Sequence, residues 1–258
     1  MRALLSNDDG VHSPGLAALD RAARAAGLET WIVAPDREQS ASSHALTMHR
    51  PLRVRSVGER SWAVDGTPTD CVNLALCSIL KASPPDLVLS GINTGPNLGD
   101  DVTYSGTVAC AFEGTLLGVP SIAFSLDTWQ DRSHGEPDFT QAEKAAQSVI
   151  ALAMESPPEG DTLWNVNIPP GPSKGFRVTR MGRRRYGENI VEKIDPRGRP
   201  YYWIGGVHVD THADGTDLTA VADGWISITP LHLDLTDYRA LAELETLARR
   251  LPLPGPER

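Results

Sequence analysis

Residues 3–10 read Ala3-Leu4-Leu5-Ser6-Asn7-Asp8-Asp9-Gly10, a short apolar run closed by two adjacent aspartates and a glycine. The run suits a buried strand. Behind it, Ser13-Pro14 supplies an N-cap and a proline at the first helical position. Leu16, Leu19, Ala23 and Ala26 then recur at helical spacing until Gly27 closes the helix. Strand, acidic turn and helix open an α/β sheet, whose ligands bind beyond the carboxyl ends of the strands. Asp8 and Asp9 fall at that place. Two carboxylates forced together repel, so they require a shared proton or a hard cation, although Asp-Asp-Gly is also ordinary turn chemistry.

The alternation continues down the chain. Residues 29–34 form a second apolar strand, stopped by Pro35-Asp36. Thr67-Pro68-Thr69-Asp70 repeats the capping chemistry and opens a helix through Leu74, Leu76 and Leu80. Residues 86–90 and 121–125 read as buried strands, and residues 107–117 between them as a helix. Leucine-rich and β-branched strands separated by helices predict a parallel, doubly wound sheet. Past Pro169-Pro170-Gly171-Pro172 the texture changes, and Tyr201-Tyr202-Trp203-Ile204 reads as part of a hairpin. Leu241, Leu244, Leu247 and Leu251 lie at helical spacing on a last helix over about 236–250. The expected organisation is an α/β core (1–170), a β-rich extension (171–235), and a C-terminal helix and tail (236–258). The two later parts suit oligomerisation.

At 258 residues, 40% of them hydrophobic, the chain can bury a full core and does not have the composition of a disordered protein. No apolar run reaches membrane-helix length, and the first residues lack the pattern of a signal peptide. Cys71, Cys77 and Cys110 are odd in number and without metal spacing, which points to the cytoplasm; Cys71 and Cys110 read as small buried helix residues. A formal net charge of −9 disfavours a broad grip on nucleic acid. The local exception, Arg180-Met181-Gly182-Arg183-Arg184-Arg185, reads as a solvated or interface cluster.

Three loops follow predicted parallel strands and should converge on one sheet edge: residues 7–10, 35–44 and 90–101, the last running on to Tyr104-Ser105-Gly106-Thr107. Their carboxylates, hydroxyls and carboxamides make an oxygen donor set, suited to Mg2+, Mn2+ or Ca2+ rather than zinc. Ser105-Gly106-Thr107 opens a helix, where free amides and hydroxyls can cradle a phosphate; a plain N-cap uses the same geometry. No Walker lysine follows, and neither G-x-G-x-x-G nor G-x-S-x-G is present in the places that would make a dinucleotide or serine-nucleophile site. His12 follows the aspartates closely enough to contact a substrate, although a single loop histidine is more often structural, and His208, His212 and His232 match no metal motif. Asp100-Asp101 reads as a capping or solvated pair. Acids, hydroxyls and a phosphate cradle together point to metal-assisted phosphoester hydrolysis.

The chain resembles the SurE-like survival proteins, a family of divalent-metal-dependent 5′(3′)-nucleotidases. The matching stretches include residues 5–10, 34–37, 66–71, 90–99, 104–108, 195–198 and 227–231, in order across nearly the whole chain. The resemblance implies a Rossmann-like core with β-hairpin and C-terminal helix extensions that build homodimers or homotetramers. It implies one divalent cation per subunit, Mg2+ or Mn2+, held by Asp8, Asp9, Ser40 and Asn93, with Asp8 and Asp9 the catalytic pair. It also implies phosphate or substrate contacts from Asn97, Ser105, Gly106 and Thr107, and nucleoside monophosphates as substrates. Ala41 stands where glycine is expected, and Trp225 where tyrosine is common. The competing readings are an aspartyl-phosphate route through Asp8 or Asp9, and a nucleotide- or RNA-binding module without turnover that uses Arg183–Arg185.

Overall fold

A computed structural model of the chain describes residues 1–128, 137–186, 190–204, 208–211 and 213–251. The first unit is β1 (Arg2–Ser6), α1 (Pro14–Ala25) and β2 (Glu29–Pro35). Then come β3 (Val54–Gly58), β4 (Ser61–Val64), α2 (Pro68–Leu74), β5 (Leu87–Thr94), α3 (Gly106–Leu116), β6 (Ser121–Leu126), α4 (Thr140–Glu155) and β7 (Thr162–Ile168). The last part holds β8 (Phe176–Val178), β9 (Arg183–Tyr186), β10 (Ile190–Ile194), β11 (Pro200–Ile204), β12 (His208–Thr211), α5 (Asp217–Ala222), β13 (Ile226–His232) and α6 (Leu241–Ala248).

The main sheet has the order β3-β4-β2-β1-β5-β6-β7-β13-β8. Strands β4, β2, β1, β5, β6 and β7 are mutually parallel, so the expected doubly wound architecture is present. Read by chain order, these six run 3-2-1-4-5-6, and the winding reverses between β1 and β5. That reversal opens a crevice beyond the carboxyl ends of the two strands.

Both faces of β1 are buried, which explains its unbroken apolar run. Leu5 packs with Leu16 and Leu19 of α1 and Ile150 of α4, while Leu4 packs with Val72 of α2 and Cys110 of α3. Each leucine contributes about 1.5–3 kcal/mol by burial, so the strand that carries the two aspartates is firmly anchored. Ser13 caps α1, and its hydroxyl accepts from Leu16 N–H (3.3 Å) and from Asn7 Nδ2 (2.7 Å). Asn7 Nδ2 also donates to Gly10 O at 3.1 Å, which ties the acidic turn to the helix that follows it.

Several elements differ from the sequence expectation. The capping box of Thr67 and Asp70 forms, but α2 ends at Leu74 and widens into a π-helical turn, Ala75–Ile79, instead of running regularly to Leu80. β5 extends to Thr94, past a shift in register with β6 between Ser90 and Asn93. Gly91 lies at that shift with φ +116°, and a Cβ there would come 2.2 Å from Phe124 O, so only glycine fits. α6 starts at Leu241, not near 236, because Asp234 and Asp237 turn the chain first by accepting from Thr236 N–H and Arg239 N–H.

Segment 171–235 divides between two surroundings. β8 and β13 join the main sheet, whereas β9 pairs with β12 and β10 with β11 in two separate two-stranded sheets. Among the described residues no helix is long and apolar enough to cross a membrane.

Candidate active site

The crevice at the β1–β5 switch has a volume of about 710 Å³, and Asp8, Asp9, Ser40, Asn93, Asn97 and Ser105 all line it. The structure therefore brings most of the sequence-predicted residues to one place. Of the other two, Gly106 and Thr107 abut Asp8 from the start of α3.

Asp8 is only 7% exposed. Thr107 Oγ1 donates to its Oδ1, and Gln39 N–H donates to its backbone carbonyl at 2.8 Å, which draws the second loop against the first. Burial raises the Asp8 carboxyl above the usual aspartate range, against the lowering effect of the Thr107 hydrogen bond. Asp9 is pushed up to about 6 by burial and then by the charge of Asp8; its hydrogen bond from Thr94 N–H, at 3.3 Å, opposes this weakly. Glu38 adds a further negative charge beside both. No lysine or arginine ion pair reaches either aspartate among the described residues.

An uncompensated pair of this kind fits a cation. The remaining donors agree: Asn93 spends its Nδ2 on Gly95 O (2.8 Å), which leaves its carboxamide oxygen for another partner. Ser40 is exposed and donates to Glu38 Oε1 at 2.6 Å, and its hydroxyl lone pairs remain. Among the described residues no three of His, Cys, Asp or Glu gather as a metal cluster, so a cation here needs such neutral oxygens beside the two carboxylates. Two charges and two neutral oxygens suit a small hard ion. Ala41 has φ +55°, a left-handed conformation that costs a non-glycine residue about 1–2 kcal/mol and explains why glycine is expected there.

Ser105 is the N-cap of α3, accepting from Val108 N–H at 3.0 Å, so the capping reading holds and its hydroxyl proton is still available. Gly106 and Thr107 begin the helix, where backbone N–H groups have no intrahelical acceptor and favour an anion. A Cβ on Gly106 would fall 2.8 Å from Asp8 Cβ and 2.9 Å from Ser42 Oγ. Glycine thus allows the helix start to lie directly on the acidic strand end. Ser42 Oγ is buried beside it with no hydrogen-bond partner among the described residues.

The first-seen charges and histidines also find their places. Arg184, with a side chain 3% exposed, pairs with Asp101 at 2.5 Å, and Arg183 pairs with Asp100 at 3.2 Å. The acidic pair 100–101 is therefore matched by Arg183 and Arg184 of the cluster, which join β9 to the loop before Ser105, while Arg180 donates instead to Asp214 O. His12 lines the crevice. His44, not singled out from the sequence, bonds Glu113 of α3 at 2.8 Å, and Asn73 Nδ2 holds the other Glu113 oxygen at 2.7 Å. His232 Nδ1 accepts from Asp234 N–H; His212 and the side chain of His208 lie outside the described residues. Cys71 and Cys110 are buried in α2 and α3 as expected, and Cys77 is exposed.

Fold and crevice define a Rossmann-like α/β protein with an acidic, oxygen-lined ligand site at the sheet's switch point. The chain belongs to the survival protein SurE family, whose profile matches residues 3–188. It is 52% identical over 262 residues to the 5′-nucleotidase SurE of Anaeromyxobacter dehalogenans (strain 2CP-C), covering 100% of this chain and 98% of that one. It is 53% identical over 252 residues to the 5′-nucleotidase SurE of Geotalea uraniireducens (strain Rf4), covering 95% and 98%. The crystal structure of the SurE protein from Aquifex aeolicus superposes with a TM-score of 0.83 at 43% identity, over 96% of this chain and 100% of the other.

Proposed function

We propose that this protein is a metal-dependent 5′-nucleotidase that converts nucleoside 5′-monophosphates to nucleoside and phosphate, with some action on other phosphomonoesters. The observation that carries the proposal is the uncompensated Asp8-Asp9 pair, with Asp9 half-buried and Asp8 buried beneath the start of α3. Relatives about half identical along the full chain and named 5′-nucleotidase SurE support it.

Asp8, Asp9, Ser40 and Asn93 would hold one divalent cation per subunit, Mg2+ or Mn2+. When bound, such a cation supplies positive charge for a phosphoryl oxygen and makes a water more acidic. Gly106 N–H, with the Ser105 hydroxyl, would donate to the phosphoryl oxygens and stabilise charge that develops on them, whereas the backbone N–H and hydroxyl of Thr107, the third residue of the expected cradle, are directed at Asp8. Thr107 holds Asp8 in one orientation. Asn97 borders the substrate with its carboxamide oxygen, since its Nδ2 is engaged by Ser125. Water is the nucleophile in this scheme. A reading as an RNA-binding module is weakened because Arg183 and Arg184 already face Asp100 and Asp101.

The deciding experiment is phosphate release from AMP and GMP with added Mn2+ or Mg2+. Turnover with metal and its loss with chelator are expected; metal-independent release, or none from any nucleotide, would overturn the proposal.

The working form is a homodimer or homotetramer. Support comes from Leu241, Leu244, Leu247 and Leu251 of the α6 segment, which are all exposed, and from the exposed Tyr202, Trp203 and Ile204 on β11. Sedimentation velocity should show two or four chains, and a monomer at micromolar concentration would refute this. A cytoplasmic location rests on the three free cysteines.

A further inference from the structure

Two carboxamides buried in the middle of the sheet have no part in the site described so far. Asn165 and Asn167 lie on β7, both wholly buried, and share a face because strand residues two apart do. Both reach one residue. Asn167 Oδ1 accepts from Asn97 N–H at 2.8 Å, and its Nδ2 donates to Asn97 O at 3.0 Å. Asn165 Nδ2 donates to the same carbonyl at 2.8 Å, and on β6 Ser125 Oγ accepts from Asn97 Nδ2 at 2.8 Å. The backbone and the side chain of Asn97 are thus gripped by three side chains from two strands to which it does not belong.

Burying a carboxamide is unfavourable unless it is bonded, and neighbouring Leu163, Val166 and Ile168 show that β7 otherwise takes apolar residues. Asn165 even keeps an Oδ1 with no partner among the described residues. The sheet tolerates this where the bonds end on a crevice wall.

We propose that Asn165 and Asn167 are positioning residues for hydrolysis at this crevice: they fix Asn97 in the geometry the substrate meets. The inference rests on the nucleotidase reading and on Asn97 as one of its site residues. A loop free to shift by about 1 Å can lose about 100-fold in rate, so a buried clamp on it has catalytic value.

The test is a double-mutant cycle on the full chain with AMP and Mn2+: Asn167→Ala, Asn97→Ala and both, each read as kcat, KM and Tm. Asn167→Ala should lower kcat by about 10- to 100-fold with a smaller change in KM. In the Asn97→Ala background the same substitution should cost at most about threefold, because the side chain it positions is gone. The drop in Tm should be equal in both backgrounds. Equal losses of kcat in both backgrounds would mark a structural role only and overturn the proposal. Asn165→Ala, which removes one of two donors to Asn97 O, should show the same pattern more weakly if Asn167→Ala does not fold.

Amide hydrogen exchange gives a readout independent of turnover. Exchange over residues 93–104 should quicken about tenfold or more in Asn167→Ala while β1 and α1 stay unchanged. Unchanged exchange there overturns the positioning role whether or not the chain hydrolyses AMP. Full activity in Asn97→Ala removes Asn97 from the site, and the proposal with it. Absence of phosphate release from the unmutated chain counts against the nucleotidase reading alone, since exchange still decides the clamp.

Discussion

Asp8→Asn and Asp9→Asn each lower kcat/KM for AMP by about 1,000-fold or more at saturating Mn2+, equivalent to about 4 kcal/mol of lost transition-state stabilisation. Either substitution keeps the side-chain shape and removes one of two formal charges from a site whose other donors are neutral oxygens. Asp8→Asn should be the more damaging. Its carboxylate also accepts the Thr107 hydroxyl and lies under Gly106, so a carboxamide there either sets an N–H against the Thr107 O–H or turns its N–H toward Gly106 and the place of the cation. Asp9 is less buried, and an asparagine oxygen can still accept from Thr94 N–H. The measurement is phosphate release across a Mn2+ titration, with circular dichroism to confirm folding. Activity within tenfold of the unmutated chain in both variants would remove the paired carboxylates from the mechanism.

The parts of the fold legible in the sequence are those written locally. Ser13-Pro14 and Thr67-Asp70 announce their helices because capping is settled within four residues, and both caps form. The acidic turn could be placed because the crevice rule needs only a parallel strand and its end. What stayed hidden depends on partners far along the chain. Arg184 looks like surface charge until Asp101, 83 residues earlier, is brought beside it. Asn165 and Asn167 look like breaks in an apolar strand until Asn97 arrives some 70 residues away in sequence. β13 returns antiparallel to β7 from beyond the extension, a pairing that no periodicity in residues 226–232 announces. The candidate site follows the same division: the acids and the α3 start are contiguous motifs, whereas the side chains that hold Asn97 come from a distant strand.

Metal-free Asp9→Asn should melt higher than the unmutated chain at pH 7, although it is the less active protein. In the folded state Asp9 sits near 6, above its ordinary value of 3.8, so the folded chain holds this proton more tightly than the unfolded one. Stability from this group is therefore complete below about pH 4, declines as pH rises through the window to 6, and is wholly lost by pH 7. A shift of that size is worth about 3 kcal/mol if fully expressed, and about 1–2 kcal/mol after allowance for solvent screening of a partly exposed group. For a chain of this length that corresponds to a Tm gain of roughly 3–6 °C in chelator at pH 7. The gain should vanish at pH 4, where the native carboxyl is already protonated. Mn2+ reverses the order, because a cation bound only to the folded state adds about 2.7 kcal/mol at a hundredfold excess over its Kd, and the variant lacks a charge to hold it. Differential scanning fluorimetry at two pH values, with chelator and with Mn2+, gives all four comparisons. If the variant melts no higher than the unmutated chain in chelator at pH 7, neither burial nor the charge of Asp8 penalises the Asp9 carboxylate in the folded protein. The electrostatic case for a cation at the β1–β5 switch would then fall.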